Sequence, residues 1–368
     1  MRAEIVPAAG LSRLKLILLA ILLTLTSAAV TAAEGECEAA GDYRFLCGMQ
    51  NAEDLVLVPG THWIIASGMA PAAGMYLIDA QQKSWSRLYP ADDARVAQDM
   101  ETFGNCPGAP DPDALVTHGL NLRPGVDGRS TLYVVGHGGR EAIEVFEVDA
   151  SAAVPVVTWM GCVMLPEGME ANSVASFGDG SLVATVPLHP DKTITDAMAR
   201  RPTGAVYEWS PGATGFTPIQ GTEMPYANGI EVSADGREFY VASSGLFNVT
   251  AFSNSNPARR LRTTETFAFV PDNLHAGPDG TLITAGLLVE DDRCGDVGGA
   301  QEFVLEEFAA CPRPFTAWAI DPQTMQGRVL SQGPAIEQFS NVTVALPVGA
   351  ELWIGTFAGD RVAWHPLK

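Results

Sequence analysis

Six stretches of the chain place a polar residue directly before an alternating apolar run. They are NAEDLVLVPGTHWIIASG at 51–68, VTHGLNLRPGVDGRSTLYVVGHG at 116–138, EANSVASFGDGSLVAT at 170–185, YANGIEVSADGREFYVAS at 226–243, PDNLHAGPDGTLITAG at 271–286 and FSNVTVALPVGAELWIGT at 339–356. The leading residues are Glu53, His118, Asn172, Asn228, Asn273 and Asn341, with Asp272 beside Asn273. Asn is a poor strand residue, and a single one would be read as turn chemistry. Six in the same place ask for another reason. Glu53, Asn172, Asn228, Asp272 and Asn273 offer carboxylate and amide oxygens only. Hard donors of this kind suit calcium, which takes about 6–8 oxygens; zinc, copper or nickel more often recruit His or Cys. A cation held there can polarise a carbonyl and stabilise the oxyanion formed when water attacks.

His118 leads the second stretch and His137 ends that unit's next strand. If 120–123 and 131–136 pair as a hairpin, the two rings lie near one rim. One ring then orients or relays protons for the other, which deprotonates water. A lone His is as readily a hydrogen-bonded packing residue. His62, His189, His275 and His365 have weaker claims, since His275 falls inside a strand and His365 lies near the C-terminus. No GxSxG, HExxH or Walker loop competes.

The leading residues stand 65, 54, 56, 45 and 68 positions apart. Spacings of roughly 50 residues with several short strands per unit describe propeller blades. Further strands are expected at 142–148, 204–209 and 315–320, and long helices are not. The expected fold is all-β, a six-bladed β-propeller over residues 34–368. Equivalent strand starts in a propeller converge on one channel mouth, so Asn228 is read as one member of a polar ring.

Net charge is −21, from 43 acidic and 22 basic residues among 368, which argues against nucleic acid or anionic lipid as a partner. Hydrophobic residues make up 47%, enough for a large core. Arg2, Arg13 and Lys15 precede an apolar run from Leu16 to Val30 and then small residues. That pattern predicts a signal peptide at 1–33 and a secreted or periplasmic protein with no stable membrane span after cleavage. All six cysteines follow it, at Cys37, Cys47, Cys106, Cys162, Cys294 and Cys311. An even count in an exported chain favours disulfides. Pairs 37–47 and 294–311 close short loops and leave 106–162, which is expected to bridge two blades. Asn248-Val-Thr and Asn341-Val-Thr match the glycosylation pattern.

The pieces AEDLVLVPG, THGLNL, LYVVGHGG, ANSVASFGDG, YANGIEVSADGREFYVA, PDNLHAGPDG and ELWIGT, in that order, resemble the calcium-dependent six-bladed propellers of the paraoxonase (arylesterase/lactonase) family and the related gluconolactonase/regucalcin group. The resemblance runs from about residue 50 to 357. It implies a catalytic calcium on Glu53, Asn172, Asn228, Asp272 and Asn273, with His118 and His137 as the histidine pair. It also implies a second, structural calcium on Asp54 and the Leu120 carbonyl, although Ser173 stands where the family has its next acidic ligand. The family's disulfide between N- and C-terminal strands has no counterpart here. Segment 287–314 is longer than its family equivalent and is read as a disulfide-stapled flap over the mouth.

The expected function is hydrolysis of a small-molecule lactone or carboxylic (aryl) ester, with calcium holding the carbonyl and histidine activating water. The alternatives are a non-catalytic calcium-stabilised propeller acting as a binding module and a strictosidine-synthase-like propeller. The latter needs no metal, and the oxygen ring argues against it.

Overall fold

The alternating runs become the strands of six radially arranged sheets in the computed structural model of the protein, which describes residues 36–91, 95–298 and 302–367. The candidate signal segment 1–33 lies outside the described residues. Among the described residues no helix is long and apolar enough to cross a membrane.

Each blade is built around a four-stranded antiparallel meander. The innermost strands are Leu55–Leu57, Val116–Pro124, Val174–Ser176, Ala227–Val232, Leu274–Ala276 and Val342–Val348. Middle strands of the blades, such as Met75–Asp79 in the first and Leu182–Val186 in the third, are buried along their whole length. Both their faces meet a neighbouring blade, which is why the sequence there is mostly apolar. Outer strands such as Arg260–Thr263 face solvent.

The core is divided accordingly. Six apolar clusters lie between successive blades, for example Val183, Phe239 and Phe252 between the third and fourth, and Leu55, Trp353 and Val362 between the sixth and first. Fully burying one such side chain contributes about 1.5–3 kcal/mol, so each blade depends on both neighbours.

The ring closes with strands from opposite ends of the chain. The sixth blade takes Val342–Val348, Glu351–Thr356 and Arg361–Pro366 from the C-terminal part. Tyr43–Cys47 pairs antiparallel with Arg361–Pro366, and Glu36–Ala40 adds outside it. Hydrogen bonds therefore do the closing, and the Cys37–Cys47 disulfide only staples the two N-terminal strands to each other.

Cys106 pairs with Cys162. The expectation that this bond joins two blades is corrected. Cys162 sits on Val156–Met164, the outer strand of the second blade, and Cys106 belongs to the connection leading into that same blade. The bond pins the connection across its own blade, within the apolar cluster shared with the first.

Two short helices occur among the described residues, α1 (Ile194–Met198) and α2 (Leu305–Ala310). α2 belongs to an excursion from 288 to 314 that also carries the small hairpin Glu290–Asp291/Gly295–Asp296. Cys294–Cys311 staples it. Inside the staple the buried Arg313 guanidinium donates to the carbonyls of Cys294, Gly295, Leu288 and Val289.

Candidate active site

All the leading residues but Asn341 gather at or directly behind one mouth, and a continuous circuit of hydrogen bonds joins the six blades there. Leu120 N donates to Asp54 Oδ2 at 2.7 Å and Gly119 N to Asn172 O at 3.2 Å. Thr185 Oγ1 donates to Asn228 O at 2.6 Å and Gly229 N to Asp272 O at 3.1 Å. Asn273 N donates to Thr343 O at 3.0 Å and Thr343 Oγ1 to Glu53 O at 2.6 Å. This explains the Asn-Gly pair at 228–229. The strand bulges there, between Ala227 and Ile230. A Cβ on Gly229 would stand 2.4 Å from Leu274 N and 2.5 Å from Asp272 O, so only glycine lets the next blade come this close.

Glu53, His118, Asn172, Asn228 and Asp272 line one cavity of about 290 Å³. Asn273 lies behind the lining and holds Glu53, its Nδ2 donating to Glu53 Oε1 at 2.7 Å. Asn228 Nδ2 donates to Ser244 Oγ at 2.9 Å, and Asn172 Nδ2 lies 3.5 Å from His118 Nε2. With each amide nitrogen engaged, the oxygens remain. Glu53 Oε2, Asn172 Oδ1, Asn228 Oδ1 and Asn273 Oδ1 are all buried without a hydrogen-bond partner. Each such acceptor costs about 1–3 kcal/mol if left alone. Three of these oxygens belong to residues that line the cavity and the fourth, on Asn273, stands directly behind it, so hard oxygen acceptors gather on one side.

The electrostatics agree. Burial, with the charges of Asp272 and Asp54, lifts the Glu53 carboxyl well above its usual range against the pull of the Asn273 hydrogen bond. Burial lifts Asp272 to about 7, Asn228 opposing and Asp54 adding. A bound divalent ion would remove that penalty. Among the described residues no three His, Cys, Asp or Glu side chains gather as a metal site, so any ion held here would need amide oxygens as much as carboxylates. That donor set fits a hard cation.

His118 and His137 are brought together, Nδ1 of the first 3.1 Å from Nε2 of the second. Strand 116–124 pairs with 129–137, and a bulge between Thr117 and Leu120 places His118 at the rim. Burial, and then the neighbouring His137, push His118 down to about 3. It is a neutral ring at ordinary pH, with Nε2 3.7 Å from Glu53 Oε2.

At the position expected for a second ion, Leu120 N donates to Asp54 Oδ2. Asp54 Oδ1 is taken by Leu55 N at 2.8 Å and by His275 Nε2 at 2.6 Å. Burial pulls His275 down, but Asp54 and Glu231 outweigh it and hold the imidazole above its usual value. His275 thus takes one of the two Asp54 oxygens and Leu120 the other. Asn341 does not line the cavity. Its Nδ2 donates to Ala309 O at 3.0 Å, tying α2 to the sixth blade. At 2% exposure its side chain has no room for a glycan in the folded protein.

Sequence reasoning missed the apolar part of the cavity. α1 contributes Ile194 and Met198, and the 288–314 excursion contributes Val297, Phe303, Leu305 and Phe308. Several of these pack in a seventh apolar cluster with Tyr226 and Val270. Tyr226 has φ +46°, an uncommon value for a bulky residue; burial and the charges of Asp272, Glu53 and Glu170 raise its phenol, which stays protonated. The positive φ is invisible in sequence, and the two insertions lack the repeat's pattern.

Known proteins were compared with this arrangement. No curated protein matches the chain. A luciferin-regenerating enzyme superimposes over 91% of this chain and 96% of its own, at TM-score 0.52 and 13% identity. A protein of unknown function from Bacteroides thetaiotaomicron covers 90% of this chain and 73% of its own, at 0.54 and 11%. A candidate gluconolactonase covers 89% and 92%, at 0.51 and 14%. At these identities the likeness is one of fold. The profile of the SMP-30/Gluconolactonase/LRE-like region matches residues 69–287, a span that holds His118, His137, Asn172, Asn228, Asp272 and Asn273. The chain is a member of the SMP-30/gluconolactonase/LRE-like family of six-bladed β-propellers.

Proposed function

We propose that this protein is an exported, calcium-dependent hydrolase of lactones or carboxylic (aryl) esters. The observation that carries the reading is the set of four buried, unpartnered oxygens beside a neutral histidine. Glu53, Asn172, Asn228, Asp272 and Asn273 would hold the ion. Once bound, calcium supplies Lewis-acid polarisation of a substrate carbonyl. His118 accepts a proton from the attacking water at Nε2, the nitrogen that faces Glu53 and Asn172. His137 steadies it from the other side. The apolar walls exclude bulk water and offer few hydrogen bonds to a polyhydroxylated ring. They favour an aryl or alkyl substituent over a sugar. Three disulfides among the described residues support an oxidising destination.

The test is turnover of an alkyl-substituted lactone and an aryl ester by purified protein, with EDTA and after calcium is restored. Activity lost to EDTA and regained with calcium supports the reading. Activity indifferent to EDTA removes the metal from it. No turnover of either substrate class leaves a non-catalytic calcium-stabilised propeller as the better account.

A further inference from the structure

We propose that Glu141 is the positioning residue of the histidine pair, fixing the tautomer of His137 and through it that of His118. The inference rests on the hydrolase reading for its kinetic consequences, but not for its geometry.

Three contacts run in a line. Glu141 Oε2 lies 2.6 Å from His137 Nδ1, His137 Nε2 lies 3.1 Å from His118 Nδ1, and His118 Nε2 lies 3.5 Å from Asn172 Nδ2. A neutral imidazole has one N–H and one bare nitrogen, and an ionised carboxylate only accepts. Glu141 therefore requires the proton of His137 on Nδ1. In the neutral His137 ring the bare Nε2 then requires the proton of His118 on Nδ1. What remains is a lone pair on His118 Nε2, facing the cavity. The Asn172 amide agrees, since it turns its NH2 toward that lone pair and leaves its oxygen for the cage. Reverse the chain of protons and His118 would present an N–H to the cavity, which is useless as a base.

The local backbone makes the first contact possible. Gly138 has φ +95°, and a Cβ there would lie 1.9 Å from Ala114 O. Only glycine can pass, and the tight turn that follows brings residue 141 back over residue 137. Leu165 N donates to Glu141 O at 3.0 Å and anchors the turn to the outer strand. The adjacent cation is not free to neutralise Glu141. Arg140 is engaged by Glu144 at 2.7 and 2.8 Å and by Gly108 O at 2.8 Å. Glu141 is left to the imidazole.

The experiment compares wild type, Glu141→Ala and Glu141→Gln. Glu141→Ala should lower kcat on a lactone by roughly 10–100-fold, as loss of an orienting partner typically does, with KM and calcium affinity near wild type. Glu141→Gln keeps an acceptor and should recover most of the loss. Imidazole ¹⁵N spectra give a readout that needs no substrate: wild type should show both rings protonated at Nδ1, and Glu141→Ala should lose that single pattern. An unchanged spectrum in Glu141→Ala overturns the proposal, and so does a change in KM alone. A Glu141→Ala protein that does not fold leaves the decision to Glu141→Gln, which must keep the Nδ1–H pattern. A wild type inactive on every lactone and ester would remove the hydrolase reading, and the spectra would still decide the role of Glu141.

Discussion

Glu53 divides its two oxygens between two tasks. Oε1 accepts from Asn273 and is held still, while Oε2 is buried with no partner. Glu53→Gln would keep the shape and remove one of the cage's two carboxylate charges. Calorimetry should show calcium affinity falling at least tenfold, and calcium should raise the melting temperature less than in wild type. His118→Gln should lower kcat/KM on a lactone by at least about 10²-fold, the lower end for loss of a general base, with calcium affinity unchanged. His137→Gln should cost less. Steady-state kinetics beside calorimetry separates the two effects; if His118→Gln keeps full activity, the base lies elsewhere, for instance at Asp272. The leading residues were legible as candidates because the repeat places each at the same point of its unit, and His137 because the expected hairpin brings it beside His118. Glu141 was not, because its role arises from the turn at Gly138. Nor was the Asp54–His275 contact, which depends on how two non-adjacent units face each other across the channel.

The elements that roof the cavity answer to different forces from the blades. α1 starts with a capping box in which Thr193 Oγ1 accepts from Asp196 N and Asp196 Oδ2 accepts from Thr193 N. The Arg201 guanidinium, and then Thr193, hold the half-buried Asp196 down to about 2 from its ordinary 3.8. A depressed carboxyl stabilises the fold above its unfolded value, and that contribution is lost as pH falls through 3.8 toward 2. Asp196→Asn should therefore lower the melting temperature at pH 7 and converge with wild type near pH 2; a constant gap across that range would show the cap to be irrelevant. The 288–314 excursion depends on its disulfide and on Arg313. Arg313→Ala should make this segment the first site of limited proteolysis while the blades stay intact. The cysteine spacing made the staple legible. The arginine at its centre was hidden, since its four carbonyl partners are backbone groups with no sequence signature.

At the scale of the whole molecule, each blade leans on two neighbours and the hydrogen-bonded circuit has no free end. The blade count was legible from spacing. The closing strands were not, because Glu36–Ala40 and Tyr43–Cys47 precede the first repeat and join the last. Deleting residues 34–48 removes no proposed ligand, yet it exposes the edge Arg361–Pro366. Calcium affinity and the sharpness of thermal unfolding should both fall, as calorimetry would show. An unaltered affinity would mean that the cage does not need the closed ring.

Closure between distant parts of the chain also sets an order in time. Glu53 is synthesised early, but Thr343, which holds its carbonyl, and Arg361–Pro366, which receives the closing strand, come last off the ribosome. Until the sixth blade is made, the two core wedges on either side of it are unfinished, and the non-local pairing must wait for the final strand. If the chain is exported unfolded, it loads its ion only where it arrives. The free calcium of that compartment, rather than of the cell that made it, would then decide how much protein matures.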